Sequence, residues 1–131
     1  MTRLLFFDQV KNHFQYLIEE YGFTVVREKT YPHFDFADVT LRSADCLIRV
    51  SREKGYIMLD ISPLSPSEYW ADLSAIIEYL TKEADCVTYE IPDEDDYDSR
   101  IDWQVKQLAG ILKPYCVQIC TLFRKEGHWV H

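Results

Sequence analysis

Residues 89 to 102, YEIPDEDDYDSRID, hold seven acids and one arginine. Carboxylates at that density chelate a cation, transfer protons, meet a basic partner, or stay hydrated. A calcium loop of the EF-hand type needs oxygen ligands at alternate positions, a glycine sixth and a glutamate twelfth. Counting from Asp93, the sixth residue is Asp98 and the twelfth is Gln104, so the pattern fails. Acids ahead of a helix and in its first turn, here Asp98 and Asp102, gain roughly 0.3–1 kcal/mol each from the helix dipole. Capping needs only one or two of them, whereas DEDD repels itself. Tyr89, Tyr97 and Trp103 flank the run, and aromatic residues beside charge are typical interface anchors. Asp93, Glu94, Asp95, Asp96, Tyr97, Asp98 and Trp103 are therefore read as a partner-binding set.

Two other groups have side chains capable of chemistry. His33, Asp35 and Asp38 lie close in YPHFDFAD and could serve acid–base work or a metal, but 33, 35 and 38 do not share one strand face. Cys116 and Cys120, with His128 and His131 beyond, form C-x3-C…H-x2-H. Structural zinc sites show other spacings, and both cysteines fall on an apolar helical stripe that already accounts for them. There is no G-x-S-x-G nucleophile elbow and no glycine-rich phosphate loop. The expectation is a non-catalytic protein with no cofactor and no bound metal. Set against it are a metal-dependent enzyme using the acidic cluster or His33, Asp35 and Asp38, and an oligomeric adaptor or structural protein.

Charge narrows the partner. Twenty-two acids against fourteen bases give −8, of which residues 89–102 supply −6; the remaining fifteen acids and thirteen bases nearly balance. Such a chain repels a phosphate backbone and an anionic membrane, so neither nucleic acid nor membrane is expected as partner. A local negative patch suits a protein with a basic surface, speeding encounter and fixing orientation. The first residues lack the apolar region and cleavage site of a signal peptide, and no apolar run approaches the roughly 18 residues of a membrane span. Four cysteines at irregular spacings inside hydrophobic patterns read as buried free thiols, which points to the cytoplasm.

These residues must be positioned by one domain, 1–131, with 47% hydrophobic and 27% charged residues. Phe7, Val10, Phe14, Leu17, Ile18 and Tyr21 recur at helical steps and predict a helix over 3–21, closed by Gly22. Alternating apolar residues predict strands over 23–31, 35–43, 45–52 and 56–62, with REKG as a turn that sets Val50 opposite Ile57. LSPSEYW predicts a second helix capped by Ser65, with Pro66 first, Glu68 third, and an end near Lys82. A third helix is predicted after the acidic stretch, capped by Asp98 or Ser99. Its stripe runs from Ile101 to Phe123, with a kink or break where Pro114 interrupts it. The fold class is α+β: an antiparallel four-stranded sheet with helices packed on one face, in the order α-β-β-β-β-α-α.

At FQYLIEEYGF, residues 14 to 23, the chain resembles a group of small uncharacterised bacterial α+β proteins, some of which resemble immunity proteins of contact-dependent or polymorphic toxin systems. The shared features are an opening helix with this ending, four strands, a short helix and a long aliphatic last helix. The resemblance implies a protein that binds and neutralises a toxin without performing chemistry. Partner-binding residues vary within such proteins, so none is carried over to this chain.

Overall fold

The structure, a computed structural model, describes residues 5–64, 69–83, 91 and 96–125. Helices α1 (Phe6–His13) and α2 (Gln15–Tyr21) precede strands β1 (Thr24–Tyr31), β2 (Phe36–Arg42), β3 (Cys46–Glu53), β4 (Tyr56–Pro63) and the two-residue β5 (Ala71–Asp72). Helices α3 (Leu73–Thr81), α4 (Tyr97–Leu112) and α5 (Cys116–Lys125) follow. The sheet is antiparallel in the order β1-β2-β3-β4-β5. It is the expected α+β architecture with one additional short strand.

Period-two patterning builds the sheet. Ala37, Val39 and Leu41 of β2, Ile48 and Val50 of β3, and Ile57, Leu59 and Ile61 of β4 are all buried on one face. The helices cover that face with Val10, Phe14, Leu17, Leu73, Ile77, Ile101, Val105, Leu112 and Phe123, each at most 2% exposed. Burying a side chain of this size is worth about 1.5–3 kcal/mol, which makes this layer the main source of stability. Among the described residues no helix is long and apolar enough to cross a membrane.

Several boundaries differ from expectation. The first helix is two, because Phe14 leaves helical geometry (φ −102°, ψ 16°) and is fully buried. Phe6 rather than Phe7 is buried, while Ile18 is 37% exposed. Gly22 closes α2 in the left-handed region as predicted (φ 73°). The β3–β4 register sets Val50 opposite Leu59 and Arg52 opposite Ile57, two residues from the expected match. The cause is the turn: Lys54 (φ 50°) and Gly55 (φ 85°) alone connect Glu53 to Tyr56. Positive φ at both central residues makes a tight primed turn, and the turn dictates the register. Helix α3 starts only at Leu73, because Ala71 and Asp72 pair with Ile61 and Asp60 of β4. Asp72 caps it by accepting from the Ser74 amide at 3.1 Å; Ser65, Pro66 and Glu68 lie outside the described residues. At Pro114 the helix passes through a 3-10 turn, Lys113–Tyr115, and continues as α5. Proline cannot donate to the carbonyl of Gly110, and the tighter turn absorbs that loss without ending the helix.

Candidate functional site

Helix α4 begins at one end of the sheet, where three structures meet. The β1–β2 connection makes a 3-10 turn at Pro32–Phe34, then turns again at Asp35 with φ 48°. The β3–β4 turn lies against it, with the Lys54 amide donating to the Asp35 carbonyl at 3.1 Å. The start of α4 closes the corner. The Tyr97 hydroxyl reaches both carboxylate oxygens of Asp35 at 2.9 Å, and Arg52 Nε stands 3.5 Å from Asp35 Oδ1. Gly55 belongs here for conformation (φ 85°), and its Cα lies against the Tyr97 ring with room for ordinary van der Waals contact.

Gln104 locks the corner from below. It is fully buried, and its Oε1 accepts from the Ile57 amide at 3.1 Å while its Nε2 donates to the Gly55 carbonyl at 2.9 Å. Strand β5 pairs with β4 at Asp60 and Ile61, so it serves neither the Ile57 amide on β4 nor the Gly55 carbonyl in the turn before it. One side-chain amide thus does what a peptide unit of a further strand would do. Around it, Gln9 Nε2 donates to the Asp98 carbonyl at 3.1 Å, and His13 Nε2 meets Asp102 Oδ1 at 2.9 Å, joining α1 to α4.

The proposed binding residues occupy distinct positions. Asp93, Glu94 and Asp95 lie outside the described residues. Asp96, not Asp98 or Ser99, is the cap of α4: its Oδ2 accepts from the Ser99 amide at 3.2 Å and from the Ser99 hydroxyl. A carboxylate there satisfies an otherwise orphaned amide and faces the positive end of the helix dipole. Tyr97 is half-buried and committed to Asp35. Asp98 and Trp103 are half-buried. Six residues beyond Tyr97, Trp103 is turned about 240° around the helix, so the two do not share a face.

Among the described residues, the exposed aromatic surface at this corner comes from residues that the sequence did not single out. Phe34, beside Asp35, is 72% exposed, and Tyr56, beside Gly55, is 54% exposed. The Arg100 guanidinium lies 5.8 Å from the centre of the Tyr56 ring. Tyr31, 39% exposed, packs its ring 5.8 Å from that of Phe36 at the same end of β1 and β2. Phe34 carries a signal in hindsight, an apolar residue in a turn between polar ones.

The other candidate groups are separated. His33 is exposed on the 3-10 turn and Asp35 faces Tyr97. Asp38 points to the face of the sheet opposite the described helices, 5% exposed, with Arg27 Nε 3.4 Å from its Oδ1. On that face Arg49 pairs with Asp60 at 3.3 Å and lies 4.1 Å from the centre of the Trp70 ring. Cys116 and Cys120 lie on α5, while His128 and His131 fall outside the described residues. Among the described residues, no group of three or more histidines, cysteines or acids is arranged to hold a metal ion.

Fold and corner together define an α+β domain whose described helices pack on one face of an antiparallel sheet, with an acidic and aromatic end buttressed by Tyr97 and Gln104. No protein-family model matches the chain, and no match is found among curated proteins or solved structures.

Proposed function

We propose that this chain is a non-catalytic protein-binding domain, and most concretely an immunity-type inhibitor that covers a basic surface of a toxin. One observation carries the reading: the stretch holding −6 of the −8 charge leads into a hydrogen-bonded corner where Phe34 and Tyr56 stand exposed. Asp93, Glu94 and Asp95 steer the partner, Asp96 and Asp98 add to the field, and Phe34 and Tyr56 supply the area that holds it. Charge raises the association rate more than the affinity, whereas desolvated aromatic anchors slow dissociation. Tyr97 and Trp103, first read as anchors, fit better as supports of the surface. Tyr97 holds α4 against Asp35, and Trp103 is half-buried on another side of the helix. A cytoplasmic location belongs to the same proposal.

Affinity capture from a bacterial host lysate, followed by binding kinetics with the identified partner, tests it. Asp93→Asn, Glu94→Gln and Asp95→Asn combined, leaving the Asp96 cap intact, should slow association on the order of tenfold and flatten its salt dependence. Phe34→Ser with Tyr56→Ser should accelerate dissociation with the melting temperature unchanged. If both variants bind a basic partner as wild type does, the corner is not the interface. Capture of no basic protein at low salt would remove support for the reading as a whole.

A further inference from the structure

Strand β1 stands at the end of the sheet. It pairs with β2 on its inner side, and among the described residues no strand pairs with its outer side. Seven of its eight residues are exposed, whereas five of the seven in β2 are buried. Alternate amides and carbonyls of such an edge point outward and can pair with a further strand. The two faces of β1 differ. Arg27 and Lys29 stand opposite Thr40 and Asp38 of β2 and project on the face away from the described helices. The Arg27 side chain is 55% exposed, with Nε 3.4 Å from Asp38 Oδ1, and Lys29 Nζ lies 5.4 Å from the centre of the Tyr31 ring. Toward the helices, a shallow depression is lined by Val25, Val26, Lys11, Arg27 and Glu28. Val25 packs against the core there, Val26 is 51% exposed, and Lys11 of α1 meets Glu28 at 2.6 Å. The edge therefore carries bases on one face and an apolar recess on the other.

We propose that the outer edge of β1 receives an extended segment of another protein, which adds a strand to the sheet with acidic side chains beside Arg27 and Lys29 and apolar side chains toward Val25 and Val26.

In strand addition of this kind, backbone pairing supplies affinity and the alternating side chains supply specificity. Residues of an extended segment alternate between the two faces, so acids at every second position fall on one face and apolar residues on the other. Acids complement β1, which holds two bases and one acid in a chain of net charge −8. A second copy of the chain fits poorly. A continuous antiparallel sheet between two copies needs a two-fold axis between the paired strands. An axis at Arg27 or Lys29 sets that base on its own equivalent; an axis at Glu28 sets glutamate on glutamate and Arg27 on Lys29. Like charges directly opposite are destabilising. The bulge between Val25 and Arg27 adds to this protection by twisting the edge. The charges that exclude a copy are those that select an acidic strand. This edge and the acidic corner call for partners of opposite charge, so the two readings stand or fall separately.

The probe is a fluorescent synthetic peptide of alternating glutamate and valine, matched in length to β1 and added to the purified full chain. Fluorescence anisotropy measures binding, and amide hydrogen exchange locates it. The peptide should bind on the order of tenfold more tightly than its lysine–valine counterpart, and it should slow exchange at alternate amides of β1. N-methylation of one alternate set of peptide amides should abolish binding, whereas the other set faces solvent and tolerates it. Lys29→Glu should reverse the preference toward the lysine peptide. Lys29→Gln, milder beside Asp38, should weaken binding of the glutamate peptide about threefold. Wild-type exchange decides alone if neither variant folds. No binding at millimolar peptide, equal binding of the two peptides, or protection outside β1 overturns the proposal. So does self-association of the chain that protects β1 without peptide.

Discussion

Replacing Gln104 with leucine tests the reasoning that places the corner. The substitution keeps approximate volume and apolar packing but deletes the amide that serves the Ile57 amide and the Gly55 carbonyl. Both backbone groups lie in buried residues, and each buried group left without a partner costs about 1–3 kcal/mol. Allowing for partial relaxation of the turn, Gln104→Leu should lose about 2–4 kcal/mol. With a urea m-value of about 1–3 kcal/mol/M for a domain of this size, the unfolding midpoint should fall by roughly 1–2 M. Equilibrium urea unfolding measures this, and amide exchange at Ile57 should accelerate well beyond its neighbours on β4. Gln104→Glu keeps an acceptor for Ile57 but turns a carboxylate oxygen toward the Gly55 carbonyl, so it should lose at least as much at neutral pH. If both variants remain within about 0.5 kcal/mol of wild type, the range of an ordinary surface substitution, Gln104 does not close the edge of β4.

Other expectations follow from the same contacts. Tyr97→Phe removes the hydroxyl from Asp35 while Arg52 remains nearby, so stability should fall by about 1–2 kcal/mol in chemical unfolding; no measurable loss would release Tyr97 from its supporting role. Burial pushes the Tyr16 hydroxyl far above its usual range, with Cys116 nearby reinforcing it, and burial pushes the Cys116 thiol up to about 12. Both groups bind their protons more tightly in the folded state than in the unfolded chain. Their contribution is therefore complete at neutral pH and declines once the unfolded groups begin to ionise, near pH 9 for the thiol and pH 10 for the phenol. Urea midpoints from neutral pH to about pH 10.5 should show that decline, less steeply in Tyr16→Phe. The same variant forfeits the 2.7 Å bond to the Ala109 carbonyl, for about 1 kcal/mol at neutral pH.

The amino-acid sequence alone determined the layer plan, because that plan rests on local periodicity. Ala37, Val39 and Leu41, or Ile57, Leu59 and Ile61, can bury together only from one face of a strand, and Val105, Leu108, Leu112, Cys116 and Ile119 only from one side of a helix. Gly22 announced its cap because few other residues adopt its backbone angles. Contacts between distant residues were decided by the tertiary structure. Lys54 accepts a positive φ that sequence does not demand of a lysine, and that shortens the turn and moves the β3–β4 match by two residues. Pairing of Ala71 and Asp72 with β4 sets the start of α3 at Leu73. Asp96 became the cap, and Tyr97 turned inward, because Asp35 and Gly55 lie at the same end of the sheet. Gln104 reaches Ile57 across 47 positions and Arg124 reaches Asp45 across 79, and neither pairing leaves a local signature. A pattern repeated along the chain reports which way a side chain faces; only the packed layers report what it meets there.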